Sequence, residues 1–131
     1  MSGKNTSVVD ANAIVRYLLA DNAEQFARAK SFFERVRKGT QPAYIPESVV
    51  AETVYVLSKV YGVGRKEIAE KLSALLDYRG ISDENRTILR AALSLFRDRN
   101  VDFVDALVAA TARARGWRTF SFDRDLERLA R

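Results

Sequence analysis

The sequence predicts an α/β fold: a three-layer α/β/α domain around a central parallel sheet of short strands. Short β-branched or aromatic runs alternate along the chain with segments of helical apolar spacing, the order that lays helices on both faces of a parallel sheet. The length of 131 residues fits one domain that can bury a core without covalent staples. Apolar residues make up 47% and charged residues 30%, the balance of a packed chain and not a disordered one.

Taken in order, Thr6-Ser-Val-Val9 reads as the first strand, ending at Asp10. Ala13, Ile14, Tyr17 and Leu18 then follow a helical spacing. Asp21-Asn22-Ala23-Glu24 resembles a capping box opening a helix to about Arg37, with Phe26, Ala29, Phe33 and Val36 inward and Gly39 as its stop. Ala43-Tyr44-Ile45 is a second strand. Pro46 presets one helix up to Gly62, with Val49, Val50, Thr53, Val54, Leu57 and Val60 as the buried stripe. A further helix runs from Arg65 to Tyr78 and closes at Gly80; Ile81 is too brief to assign as a strand. Ser82 is expected to cap a helix from Asp83 to about Arg99, and Asp102 the next, to Arg115, with Gly116 ending it. Trp117 to Phe122 reads as the last strand, followed by Asp123 and a short helix. No repeat or linker interrupts the order.

Composition narrows the chemistry. There are no cysteines and no histidines, which removes disulfides, thiolate zinc sites, cysteine nucleophiles, histidine bases and Ser-His-Asp triads. Any catalysis must come from carboxylates, hydroxyls, amines or a metal held by oxygen. No apolar run approaches the roughly 20 residues of a membrane span, and the polar first residues show no signal core, so a cytoplasmic protein is expected. Net charge is +5, and sixteen of the 22 basic residues are Arg, the side chain that pairs bidentately with phosphate. A polyanionic partner fits that excess.

In open parallel sheets, ligands gather at the carboxyl ends of the strands. Asp10 follows the first strand and Asp123 the last. Glu52 lies beside the apolar stripe of its helix, and Asp105 at the edge of a stripe made by Val104, Leu107, Val108 and Thr111. A carboxylate at the border of a buried face is costly unless paired or bound to a cation. Four acids without histidine suit a hard cation, Mg²⁺ or Mn²⁺. Plainer roles compete: Asp105 favours the dipole of the helix that Asp102 opens, Asp123 caps the last helix, and Glu52 is a solvated or Arg-paired side chain. Asp10 has the fewest structural uses.

Four segments together carry a family resemblance: Val8-Val-Asp10-Ala-Asn12-Ala-Ile-Val-Arg-Tyr-Leu18, Glu52-Thr-Val-Tyr-Val-Leu57, Asp102-Phe-Val-Asp105-Ala-Leu-Val-Ala-Ala110, and Phe120-Ser-Phe-Asp123-Arg-Asp-Leu126. In order and spacing they resemble PIN-domain ribonucleases of the VapC type, the toxins of toxin–antitoxin pairs. The resemblance runs from about residue 7 to 129 and implies one PIN-like domain over 1–131, with a flexible lead at 1–6. It places the acidic set on Asp10, Glu52, Asp105 and Asp123, with Asn12, Ser121, Asp102 and Asp125 in support. The family usually carries Thr or Ser where this chain has Ala11, so one hydroxyl beside Asp10 is missing.

The resemblance implies metal-assisted hydrolysis of RNA, with Asp10 and Asp105 as direct ligands of Mg²⁺ or Mn²⁺ and with Glu52 and Asp123 as ligands directly or through water. Arg16, Arg97, Arg99, Arg113, Arg115 and Arg118 are the candidate phosphate contacts. It also implies an antitoxin whose peptide blocks the acidic site, and a homodimer. Two alternatives stay open: a PIN nuclease of RNA maturation, and a non-catalytic nucleic-acid-binding module. A phospho-accepting receiver domain is disfavoured, because it needs an extra acidic pair at the end of the first strand.

Overall fold

In the computed structural model, which describes residues 5–131, the chain is mostly helical around a short parallel sheet, as the α/β expectation requires. Of the flexible lead expected at 1–6, residues 1–4 lie outside the described residues. β1 (Ser7–Val8) pairs in parallel with β2 (Ala43–Tyr44), Ser7 opposite Ala43 and Val8 opposite Tyr44. On its other side, Ala43 makes an isolated parallel bridge to Ile81, so β2 runs between the other two segments.

The helices are α1 (Ala11–Leu19), α2 (Ala23–Lys38), α3 (Glu47–Tyr55), α4 (Arg65–Leu76), α5 (Arg86–Asp98), α6 (Phe103–Arg115) and α7 (Arg124–Leu129). α1 packs on α2 and α3, α5 lies between α4 and α6, and α7 rests on α6. One continuous core joins them, with Ile14, Phe33, Leu57, Ile68, Leu76, Leu89 and Leu93 fully buried. Tyr17 stacks on Phe33 at 4.6 Å, and its hydroxyl shares a 2.7 Å hydrogen bond with that of Tyr78.

Several expectations are corrected. The helix expected from Pro46 to Gly62 is α3 followed by a π-helical turn, Val56–Val60. The wider winding rotates the later residues, and Val60 faces solvent. The capping box at Asp21 resolves differently: Asn22 caps α2 by accepting from the Gln25 N–H at 3.0 Å. Asp21 instead pairs with Arg16 at 2.6 Å. The helix expected from Asp83 begins at Arg86. Ser82 Oγ accepts the Glu84 N–H in a local turn, and Asn85 is drawn inward to donate Nδ2 to the Ile45 carbonyl at 3.2 Å; such side-chain bonds compete with helix winding. Asp102 occupies the N-cap position of α6 without a capping side-chain bond.

The expected last strand is absent: residues 117–122 form neither strand nor bridge. β-propensity expresses fit to a half-buried pleated surface, and Phe120 and Phe122 face outward, packing edge-to-face on each other at 5.4 Å. On α6 the buried face is Phe103, Ala106, Ala109, Ala110 and Ala112, and of the expected stripe only Leu107 packs partly against the core. Alanines let α5 approach closely, which leaves Val104 and Val108 exposed.

One arginine closes the helical half. Arg65 donates from one guanidinium nitrogen to the carbonyls of Phe96 at 3.0 Å, Arg99 at 3.3 Å and Val101 at 2.6 Å. Its guanidinium lies over the Phe96 ring at 4.4 Å. It thereby satisfies carbonyls that α5 leaves open at its end and holds the connection into α6. Bonds from a charged donor are worth roughly 1.5–3 kcal/mol each when made well. Arg65→Ala is expected to lower unfolding stability by about 2 kcal/mol or more, measured by urea titration with an unchanged slope. Arg65→Lys should recover less than half of the loss, because an ammonium lacks the flat face and the fork.

Candidate functional site

Asp10 ends the β1 segment and opens α1. Its Oδ1 accepts the Ala13 N–H at 2.9 Å, so this acid does have a structural use, the N-cap of α1. Asp123 does the same for α7, its Oδ1 accepting from the Asp125 N–H at 2.9 Å and the Leu126 N–H at 3.3 Å. Ser121 Oγ in turn accepts the Asp123 N–H at 2.9 Å. Both carboxylates are therefore oriented by a helix start, and each has its second oxygen outside these capping bonds. Ala11 is buried, so the position lacking a hydroxyl lies against the core.

Asp105 sits half-buried in the first turn of α6. Burial raises its carboxyl above the ordinary carboxylate range, and the charges of Asp102 and Asp123 push it the same way. The structure thus gathers Asp105, Asp102 and Asp123 into one electrostatic neighbourhood, although they come from two helix starts. Glu52 is on α3 and exposed, with α3 packed against both α1 and α6. Asn12 is exposed on the first turn of α1, and Asp125 is engaged by Arg128. Among the described residues, no three carboxylates stand close enough together to enclose a metal ion.

Two grooves flank these acids. Asp10 and Asn12 open onto a cleft between α1 and α2 that also holds Arg16, Arg28 and Arg35. The second runs beside α6, lined by Glu47, Leu107, Val108, Thr111 and residues 117–120. Glu47 is an acid that the sequence reading did not single out. It follows directly on β2 and Pro46, so the strand-end rule that selected Asp10 would have found it too.

The candidate arginines separate. Arg16 is tied to Asp21 and reaches the Tyr61 hydroxyl at 3.5 Å. Arg97 is held by Asp98 at 2.8 and 3.0 Å. Arg113 donates to the Arg131 carbonyl at 3.1 Å and lines a separate groove between α5 and α6 with Arg99. Arg115 lies over the Trp117 ring at 5.4 Å. Arg118 lines the α6 groove, and among the described residues its guanidinium makes no ion pair or hydrogen bond.

The chain is similar to known proteins over most of its length. The family model described as PIN domain matches residues 7–131. A VapC ribonuclease of Aquifex aeolicus (strain VF5) is 26% identical over 123 residues, spanning 93% of this chain and 90% of that protein.

Two outcomes separate structure from chemistry at these acids. Asparagine retains a capping carbonyl oxygen, so Asp10→Asn should melt within a few tenths of a kcal/mol of the native chain, whereas Asp10→Ala should lose about 1 kcal/mol. For Asp105 the sign is set by its raised pKa: the folded state holds the proton more tightly than the unfolded one. Ionised Asp105 is then a cost that is absent below the unfolded pKa and complete above the folded one. Asp105→Asn should therefore raise the melting temperature at pH 7 and leave it unchanged near pH 3.

Proposed function

The chain belongs to the PIN domain family, and from that membership we propose that it is an endoribonuclease, cutting RNA by metal-assisted phosphodiester hydrolysis as the toxin of a toxin–antitoxin pair. The observation that carries this proposal is the PIN domain match over residues 7–131, and the half-buried Asp105, facing the charges of Asp102 and Asp123, supports it. Like charges gathered in a partly desolvated place favour a cation. The similarity to a protein named VapC ribonuclease supports the substrate class.

The donor set fits a hard divalent ion, Mg²⁺ or Mn²⁺, since every candidate ligand is a carboxylate oxygen. Asp10 and Asp105 would hold it directly, and Glu52 and Asp123 directly or through water. Mg²⁺ keeps several waters and takes only one or two carboxylates, which suits acids that do not close into a cage. When bound, the ion supplies a water of lowered pKa and neutralises charge on the phosphoryl oxygens. The chain's own residues orient: the α1 and α7 caps fix the headings of Asp10 and Asp123, and Ser121 braces Asp123. Arg118, free of an ion pair beside the α6 groove, is the best placed of the candidate arginines to take a phosphate. With no histidine in the chain, no imidazole serves as base.

The same proposal covers the whole chain as one domain, working in the cytoplasm as a homodimer and held inactive by an antitoxin peptide over its acids. Among the described residues, no helix is long and apolar enough to cross a membrane. RNA incubated with the purified chain and Mg²⁺ or Mn²⁺ should be cut internally, and EDTA should stop the reaction. Asp10→Asn or Asp105→Asn should lower the rate about 100-fold or more while the protein stays folded. Cleavage that survives EDTA would count against the proposal. Either metal should also raise the melting temperature of the native chain by mass action, and the gain should disappear when both substitutions are combined.

A further inference from the structure

The segment between α6 and α7 exposes three aromatic rings in six residues: Trp117 at 63%, Phe120 at 89% and Phe122 at 94%. Rings of this size normally bury much of their surface. Here they stand outward beside guanidinium groups. Arg115 lies over the Trp117 ring at 5.4 Å, Arg118 lines the same groove as Trp117 and Phe120, and Arg124 follows Asp123. Among the described residues, Arg118 and Arg124 make no ion pair. The groove also holds Glu47 and Val108, one turn along α6 from Asp105, and Phe122 immediately precedes Asp123.

Resting on the ribonuclease proposal and deepening it, we infer that Trp117, Phe120 and Phe122 form a stacking platform for unpaired bases of the RNA and steer a single strand toward Asp105 and Asp123. Aromatic faces accept any base by stacking, while neighbouring guanidinium groups take the phosphates between bases. In a duplex the bases are already stacked on one another, so this platform selects single-stranded segments. Charge decides the occupant. A second copy meeting this face would bring its own Arg115, Arg118 and Arg124 against the same three, in a chain of net charge +5, whereas a polyanion neutralises them. Asp125, the acid nearest in sequence after Asp123, is engaged by Arg128.

The chain contains a single tryptophan, so Trp117 fluorescence reports the platform directly. The probe is a labelled single-stranded oligouridylate, with the same length of paired RNA as comparator. Both are added to the Asp105→Asn chain in Mg²⁺, which prevents cleavage. The single strand should quench Trp117 saturably and bind about tenfold or more tighter than the duplex. Adding Phe120→Ala and Phe122→Ala should weaken single-strand binding about tenfold or more with an unchanged salt slope. Tyr at both positions should restore it and Leu should not. Arg118→Gln should instead flatten the salt slope by about one counterion. Equal affinity for single strand and duplex, or no loss with the Ala pair, overturns the inference. If the Ala pair abolishes self-association in sedimentation while RNA affinity holds, the face is a protein interface and the inference also falls. Either failure leaves the cleavage measurement above untouched; absence of metal-dependent cleavage by the native chain is what removes the ribonuclease proposal.

Discussion

At Gly80 three stretches of backbone meet more closely than any side chain allows. A Cβ there would lie 2.2 Å from the Gln41 carbonyl oxygen and 2.9 Å from that of Val36. The missing side chain lets the Gly80 N–H donate to Val36 at 2.8 Å and its carbonyl accept the Ala43 N–H at 2.8 Å. That crossing fixes the end of α2 against β2. From β2 the placement passes outward: to β1 through the parallel pairing, to Asp10 at the end of β1, and to α5 through the Ile45 carbonyl that receives Asn85. An alanine at this position would push the backbone apart, and the sheet has too few hydrogen bonds to absorb the displacement.

The acids reveal a second economy. A carboxylate that caps a helix has one oxygen committed and its direction set, so folding alone aims Asp10 and Asp123. The aim comes from local hydrogen bonds within three residues, which is why it survives in a sheet this small. Asp105 is placed by different means. Its position depends on where α6 starts, and that depends on the carbonyls held by Arg65 from α4. An arginine that charge counting assigns to polyanion binding is in this case architecture.

Helices were legible in the sequence because their signals are local. Apolar spacing, Gly39 and Gly116 act within a turn of where they stand. The strands were legible only where burial supports them. Val9, Ala43 and Ile45 are buried, while Trp117 to Phe122 has the composition of a strand and no pleated neighbour. The choice of buried face on α6 also escaped periodicity, since valines and alanines are both apolar and only the closeness of α5 decides between them. At the site, Asp10, Asp105 and Asp123 stood out as acids at helix starts or strand ends. That Asp105 feels the charge of Asp123 was not legible, because it arises from packing between α6 and the segment that opens α7. Glu47 was less legible, because an acid in the first turn of a helix is ordinarily explained by the helix dipole.

The π-helical turn after α3 gives this part of the chain an unusual freedom in length. Its bond from the Tyr61 N–H to the Val56 carbonyl spans five residues, so the turn stores one residue more than an α-helix of the same rise requires. Deleting one of the turn's outer residues, and not the buried Leu57, lets the winding tighten to the α pattern with Glu52 upstream undisturbed. The slack therefore lies downstream of Glu52, where a change of one residue is taken up without rewinding α3.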